Sequence, residues 1–171
     1  MKIGLELNGV VFDLLGAAIE YFGEPQQLEA TTFEEMFPMV PDASLYTWLS
    51  LKSTYERMQP IPEALKSLDE LSQEHELVGI TSIEKHLMST TANWVIANGV
   101  AVSSVSHTIN KDIRARQAKV DIFIESDAIA ARAMSKICRV IILDNPYNRF
   151  GAGCDVKRAS SWKEILEIIN D

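Results

Sequence analysis

The feature that most constrains this chain is the alternation of short apolar runs with stretches of helical periodicity. Ile3 to Leu7, Leu77 to Ile80, Asp121 to Glu125 and Val140 to Leu143 read as strands, and Val100 to Val105 as a weaker one. The stretch Asp13 to Phe22 puts Leu14, Leu15, Ala18 and Ile19 on one helical face and stops at Gly23-Glu24-Pro25. Pro60-Ile61-Pro62 opens an amphipathic helix through Ala64, Leu65, Leu68 and Leu71. Further helices are predicted over Glu84 to Asn98, Lys111 to Lys119, Ala128 to Lys136 and Trp162 to Ile169. Near-continuous apolar strands need helices on both faces, so the pattern predicts an α/β, doubly wound parallel sheet. Two segments stand apart. Pro25 to Gln59 is aromatic-bearing without strand alternation and reads as a small helical insertion. Asn145 to Arg158 reads as a loop.

At 171 residues with 47% hydrophobic content, the chain has the length and apolar material of one domain with a sizeable core. Asp and Glu total 24 against 16 Lys and Arg, a formal charge of -8. A surface of that sign repels phosphate chains and argues against general DNA or RNA binding. Any anionic ligand must be small and held by a local set of donors. Cys138 and Cys154 supply neither a disulfide framework nor metal-ligand spacing, and His75, His86 and His107 are too scattered for a zinc set. Met1-Lys2-Ile3-Gly4 lacks the features of a secretory leader, and no apolar run reaches the roughly 18 residues that cross a bilayer. The expectation is a cytoplasmic protein without membrane or nucleic-acid partners.

In doubly wound sheets, ligands bind beyond the carboxyl ends of the strands. That directs attention to Glu6 to Asn8, to Thr81-Ser82, and to Glu125-Ser126-Asp127, with Lys111 upstream of the last set.

These residues carry a resemblance to the haloacid dehalogenase-like phosphohydrolases, and within them to the 5'(3')-deoxyribonucleotidase-like branch. Ile3-Gly-Leu-Glu-Leu-Asn-Gly-Val-Val-Phe-Asp13 stands where the family has a strand ending in Asp-x-Asp-Gly-Val. Gln59-Pro-Ile-Pro-Glu-Ala-Leu65 resembles the entry from cap to core helix, and Leu77-Val-Gly-Ile-Thr-Ser82 a strand ending in Thr. Lys111 precedes Asp121-Ile-Phe-Ile-Glu-Ser-Asp127, where the family ends a strand in paired acids. Ile141-Ile-Leu-Asp-Asn-Pro-Tyr-Asn-Arg149 is similar to the exit of this branch. The resemblance covers nearly the whole chain. It implies a Rossmann-type core of residues 1–13 and 60–171, with a small helical cap, 14–59, inserted after the first strand.

The chemistry that the resemblance implies is demanding. A carboxylate attacks phosphorus in line, and a second acid two residues on donates and accepts protons. Magnesium held by acids of the first and fourth motifs neutralises developing charge, while a Thr, nearby N–H groups and a Lys cradle the phosphoryl oxygens. Thr81, Ser82 and Lys111 are the expected phosphate contacts. Glu6 and Asn8 occupy the catalytic positions, and Glu6, Glu125 and Asp127 are the candidate magnesium ligands. Departures fall on the most exacting positions. The extra methylene of Glu6 moves its oxygens by roughly 1 Å, a misplacement that can cost about 100-fold. Asn8 has no proton to transfer at neutral pH, where such help is worth roughly 100- to 10,000-fold. Ser126 follows Glu125 where a second acid is expected, and magnesium tolerates displaced ligands poorly.

Each residue also has a plainer reading. Glu6 fits a relocated nucleophile, a metal ligand or a simple acid at a strand end. Thr81 or Ser82 fits a helix cap, Lys111 a surface charge, and Glu125 or Asp127 a solvated or capping acid. Phe33, Phe37, Tyr46, Trp48 and Tyr55 fit a base-stacking wall or the core of a small bundle. The functional expectation is a nucleotidase-like protein with an eroded site, binding a phosphate or a nucleoside monophosphate with little or no turnover and a weakened magnesium site. The alternatives are a working magnesium-dependent deoxyribonucleotidase, and a non-catalytic scaffold acting through a homo-oligomer or a protein partner.

Overall fold

A computed structural model describes all residues, 1–171. Six parallel strands form one sheet: β1 (Lys2–Leu5), β2 (Glu76–Thr81), β3 (Ser104–His107), β4 (Ile122–Glu125), β5 (Arg139–Leu143) and β6 (Val156–Ala159). Their spatial order is β3-β2-β1-β4-β5-β6, so the winding reverses at the central β1. Ile3, Gly4 and Leu5 pair with Leu77, Val78 and Gly79 on one side and with Ile122, Phe123 and Ile124 on the other.

Eight helices accompany the sheet: α1 (Leu14–Phe22), α2 (Asp42–Leu49), α3 (Lys52–Arg57), α4 (Ala64–Ser72), α5 (Met88–Ala97), α6 (Lys111–Ala118), α7 (Ala128–Met134) and α8 (Trp162–Asn170). Alternation along each strand divides the core into two layers. Ile3, Leu5, Leu77, Ile124 and Ile141 face one layer with Leu68 of α4, Trp94 of α5 and Ile165 of α8. Val78, Ile80, Phe123, Val140 and Ile142 face the other, against Ala115 of α6 and Ala131 and Met134 of α7.

Residues 14–59 hold α1, a 3-10 turn at Glu34–Met36, α2 and α3, and no strand. Phe37, Trp48 and Tyr55 are buried in the same core layer as Ile3 and Leu5, whereas Tyr46 is exposed. Three expectations change in detail. The segment Asn145 to Arg158 is not all loop, because Val156–Ala159 adds a sixth strand beside β5. Its four residues include Lys157 and Arg158, charges that suit an edge strand and hide it from a hydrophobicity pattern. The third strand runs Ser104–His107 rather than Val100 to Val105, with Val100 buried just before it. The helix expected from Glu84 begins at Met88, after a 3-10 turn at Lys85–Leu87. No helix is long and apolar enough to cross a membrane.

Candidate functional site

Glu6 follows β1 directly, and its N–H still bonds the Ile124 carbonyl at 2.9 Å. The chain then turns sharply, with the Val11 and Phe12 N–H groups both on the Leu7 carbonyl at 2.9 and 2.8 Å. This turn directs the Glu6 side chain inward, where it is 3% exposed. Its Oε1 accepts from the Leu7 N–H at 2.7 Å, from the Asn8 N–H at 3.4 Å and from the Thr81 hydroxyl. Its Oε2 accepts from the Lys111 ammonium at 2.7 Å and the Ser82 N–H at 3.3 Å.

Lys111 is the first residue of α6, the positive end of a helix and a poor place for a cation. Two carboxylates offset that cost, since its Nζ also lies 2.5 Å from Glu125 Oε2. The other oxygen of Glu125 accepts the Ser126 and Asp127 N–H groups at 2.9 and 3.2 Å. Burial works against every charge in this triad, and the pairing decides who keeps one. Burial opposes the Glu6 anion, but Lys111 and the hydrogen bonds from Thr81 and Leu7 outweigh it and hold its carboxyl below the ordinary range. For Glu125, burial and repulsion by Glu6 outweigh the shared ammonium, and its carboxyl is pushed up. Burial pulls Lys111 down, yet the two acids outweigh it and hold its ammonium well above the usual range.

Asn8 sits at the rim. Its Nδ2 donates to the Tyr55 hydroxyl at 3.4 Å, its carbonyl accepts the Ser126 hydroxyl at 2.6 Å, and its buried Oδ1 has no partner. Burial pushes the Tyr55 phenol up to about 12, against the Asn8 hydrogen bond. Gly9 adopts φ of 69°, and a Cβ there would stand 2.2 Å from the Tyr147 hydroxyl, so the turn admits only glycine. That hydroxyl lies beside Ser126 without a well-formed hydrogen bond. Behind it, Asn148 Nδ2 donates to the Ser126 carbonyl at 2.7 Å and the Leu143 carbonyl at 2.8 Å. Asn145 Nδ2 reaches the Gly9 carbonyl at 3.3 Å. The turn at 145–148 therefore ties together the chain beyond β1, β4 and β5, a role for Asn145 and Asn148 that the sequence pattern alone did not assign.

Above these residues lies a cavity of about 330 Å³ bordered by Glu6, Asn8, Ser82, Lys111, Phe33 and Tyr147. The Phe33 and Tyr147 rings meet edge to face at 5.6 Å. Of the five aromatics considered for a base-stacking wall, only Phe33 borders the cavity. Glu6, Thr81, Ser82, Lys111 and Glu125 converge as one constellation. Asp127 borders the same cavity, but its Oδ1 accepts the Ala130 N–H at 2.6 Å and caps α7 rather than joining the hydrogen bonds around Lys111.

A model of the family described as 5' nucleotidase, deoxy (pyrimidine), cytosolic type C matches residues 1–170. The chain belongs to this family. Among its relatives, a protein of Halalkalibacterium halodurans named as a putative nucleotidase is 28% identical over 99% of the chain and 93% of its own length. A nucleotidase of Clostridium acetobutylicum is 28% identical over 66% of the chain and 60% of its own length. A haloacid dehalogenase-like hydrolase from Streptococcus pneumoniae superposes with a TM-score of 0.70 at 13% identity, covering 98% of this chain and 97% of that one. The L-2-haloacid dehalogenase of Xanthobacter autotrophicus gives 0.66 at 12% identity, covering 99% and 98%. The fold is therefore the haloacid dehalogenase-like, Rossmann-type α/β fold.

The nucleotidase family implies magnesium, and the donor set here does not fit it. Glu6 and Glu125 share an ammonium, their remaining lone pairs face N–H and O–H donors, and one oxygen of Asp127 caps α7. No group of three His, Cys, Asp or Glu side chains is arranged to hold a metal ion.

Proposed function

We propose that this nucleotidase-family chain binds a small phosphorylated ligand of the nucleoside monophosphate class in the carboxyl-end cavity, and hydrolyses it slowly or not at all. The observation that carries the reading is the Glu6 carboxylate, whose two oxygens receive five donors. An in-line nucleophile needs a lone pair free to face phosphorus, and each bond given up by a charged acceptor costs about 1.5–3 kcal/mol. Asn8 adds no proton transfer beside it. Binding is supported by the phosphate-type donors Thr81, Ser82 and Lys111, by the Phe33 edge and by a volume within the usual range for small-ligand sites. The names of the relatives favour a nucleotide over other phosphate esters.

The test is a panel of ribo- and deoxyribonucleoside monophosphates with magnesium, read by thermal shift and by phosphate release. The native protein is run beside Glu6→Asp/Asn8→Asp/Ser126→Asp. Expected are ligand-dependent stabilisation of the native protein with little release, and release at least about 100-fold faster from the triple variant. Native turnover equal to the variant's, with a magnesium requirement, would overturn the reading in favour of a working nucleotidase. Absence of any stabilisation would overturn it in favour of a scaffold.

A further inference from the structure

The donors around Glu6 belong to three separate places in the chain. The Leu7 and Asn8 N–H groups come from the β1 turn, the Thr81 hydroxyl from the end of β2, the Ser82 N–H from the residue after it, and the Lys111 ammonium from the start of α6. Convergence of backbone N–H, hydroxyl and ammonium donors on one buried point is the construction of an anion site. A lone acid at a strand end needs no such provision, because water would satisfy it. Here the anion at the focus is a side chain of the protein itself.

We propose that the Glu6 carboxylate is a resident occupant of the chain's own phosphate cradle, which an incoming phosphate must displace. This rests on the functional reading above and adds what controls affinity at that site. The longer side chain of Glu, compared with Asp, delivers its two oxygens to Thr81, Ser82 and Lys111 rather than stopping short of them. Phosphate and this carboxylate cannot share the focus. The cavity already holds Glu6, Glu34, Glu125 and Asp127 against the one ammonium of Lys111, so a further dianion beside an undisplaced Glu6 meets strong repulsion. Apparent affinity for phosphate is then the intrinsic affinity multiplied by the fraction of molecules with Glu6 turned out. With the side chain pinned by five donors, that fraction is small.

The probe is inorganic phosphate, titrated by calorimetry and thermal shift into the native protein, Glu6→Ala and Glu6→Gln. Native protein is expected to bind phosphate at least about 10-fold more weakly than Glu6→Ala. Glu6→Ala is also expected to gain stabilisation from acetate, which refills the vacated carboxylate position. Thr81→Val placed in Glu6→Ala is expected to abolish both gains, which assigns them to the cradle. Glu6→Gln keeps the length of the side chain without its charge and serves if Glu6→Ala does not fold. Its amide holds the cradle less firmly, so phosphate binding exceeds the native value. Equal phosphate affinity in native protein and a folded variant overturns the proposal, as does a folded Glu6→Ala that ignores both anions. Native protein that binds nucleoside monophosphates as tightly as Glu6→Ala also overturns it, while the functional reading stands. Phosphate gained by Glu6→Ala, with no variant preferring a nucleoside monophosphate over phosphate, supports the cradle and defeats that reading.

Discussion

Lys111 Nζ stands 2.7 Å from Glu6 Oε2, two buried side chains joined across 105 residues of sequence. The ammonium also serves Glu125, so its removal leaves two buried acids with no counter-charge. Breaking a buried pair from one side costs about 3–5 kcal/mol. In the native protein the Glu6 carboxyl lies below its ordinary value near 4.5, so its contribution to stability is present above that pH and lost as pH falls. Without Lys111 the sign reverses. Burial and mutual repulsion raise both carboxyls, and stability is lost as pH rises through their folded values. Lys111→Met is therefore expected to melt far below the native protein at pH 7.5, with the gap narrowing toward pH 5. Thermal denaturation at three pH values checks this, and a gap independent of pH would refute the charge account.

Gly9 stands between the site turn and Tyr147. A Cβ at its φ of 69° is strained by itself and also meets the Tyr147 hydroxyl at 2.2 Å and Ser126 Oγ at 2.7 Å. Gly9→Ala is expected to lose about 2–3 kcal/mol by chemical denaturation. Adding Tyr147→Phe removes the closest atom and should recover part of that loss, whereas a loss unchanged by Tyr147→Phe would place the whole cost in the backbone.

What the sequence made legible follows from what one-dimensional patterns record. Strands buried on both faces leave apolar runs, so β1, β2, β4 and β5 and the residues at their ends, Glu6, Thr81 and Glu125, could be placed together. Lys111 could be added only through its distance before β4, the spacing that the family resemblance implies. The inward aim of Glu6 could not be read, because it depends on donors 75 and 105 residues away and on the turn after Leu7. Asp127 shows the same limit from the other side, since an acid after a strand can cap a helix or face a ligand with no difference in pattern. The clamp formed by Asn145 and Asn148 was hidden because its partners are backbone carbonyls, which any residue supplies.

Phe33 borders the cavity, and its edge-to-face contact with Tyr147 holds the ring in place. Stacking of a base on an aromatic ring is worth about 1–3 kcal/mol, and a factor of ten is about 1.4 kcal/mol. Phe33→Leu keeps the apolar volume without the flat face. It is expected to weaken nucleoside monophosphate binding about tenfold while leaving inorganic phosphate binding to Glu6→Ala/Phe33→Leu unchanged from Glu6→Ala. Calorimetry on both ligands checks the separation, and parallel losses for the two would show that Phe33 supports the fold rather than the base.

The edge strand that the hydrophobic pattern hid reaches the site through one side chain. Arg158 of β6 donates from Nη1 to Asp144 Oδ1 at 2.6 Å and Asn148 Oδ1 at 2.8 Å, and from Nη2 to the Asn148 carbonyl at 2.7 Å. Asn148 in turn holds the Ser126 carbonyl, and the Ser126 hydroxyl holds the Asn8 carbonyl. A planar guanidinium can meet three acceptors in one plane, but the point charge of a lysine cannot. Arg158→Lys keeps the charge beside Asp144 and loses the grip on Asn148, at an expected cost of about 1–2 kcal/mol. The loss should be felt locally first. Hydrogen exchange is expected to quicken at Asn148 and Ser126 while the Leu68 and Leu71 amides of the buried α4 keep their protection. Uniform loss of protection across the sheet would mean that Arg158 stabilises the fold as a whole rather than the turn that frames the site.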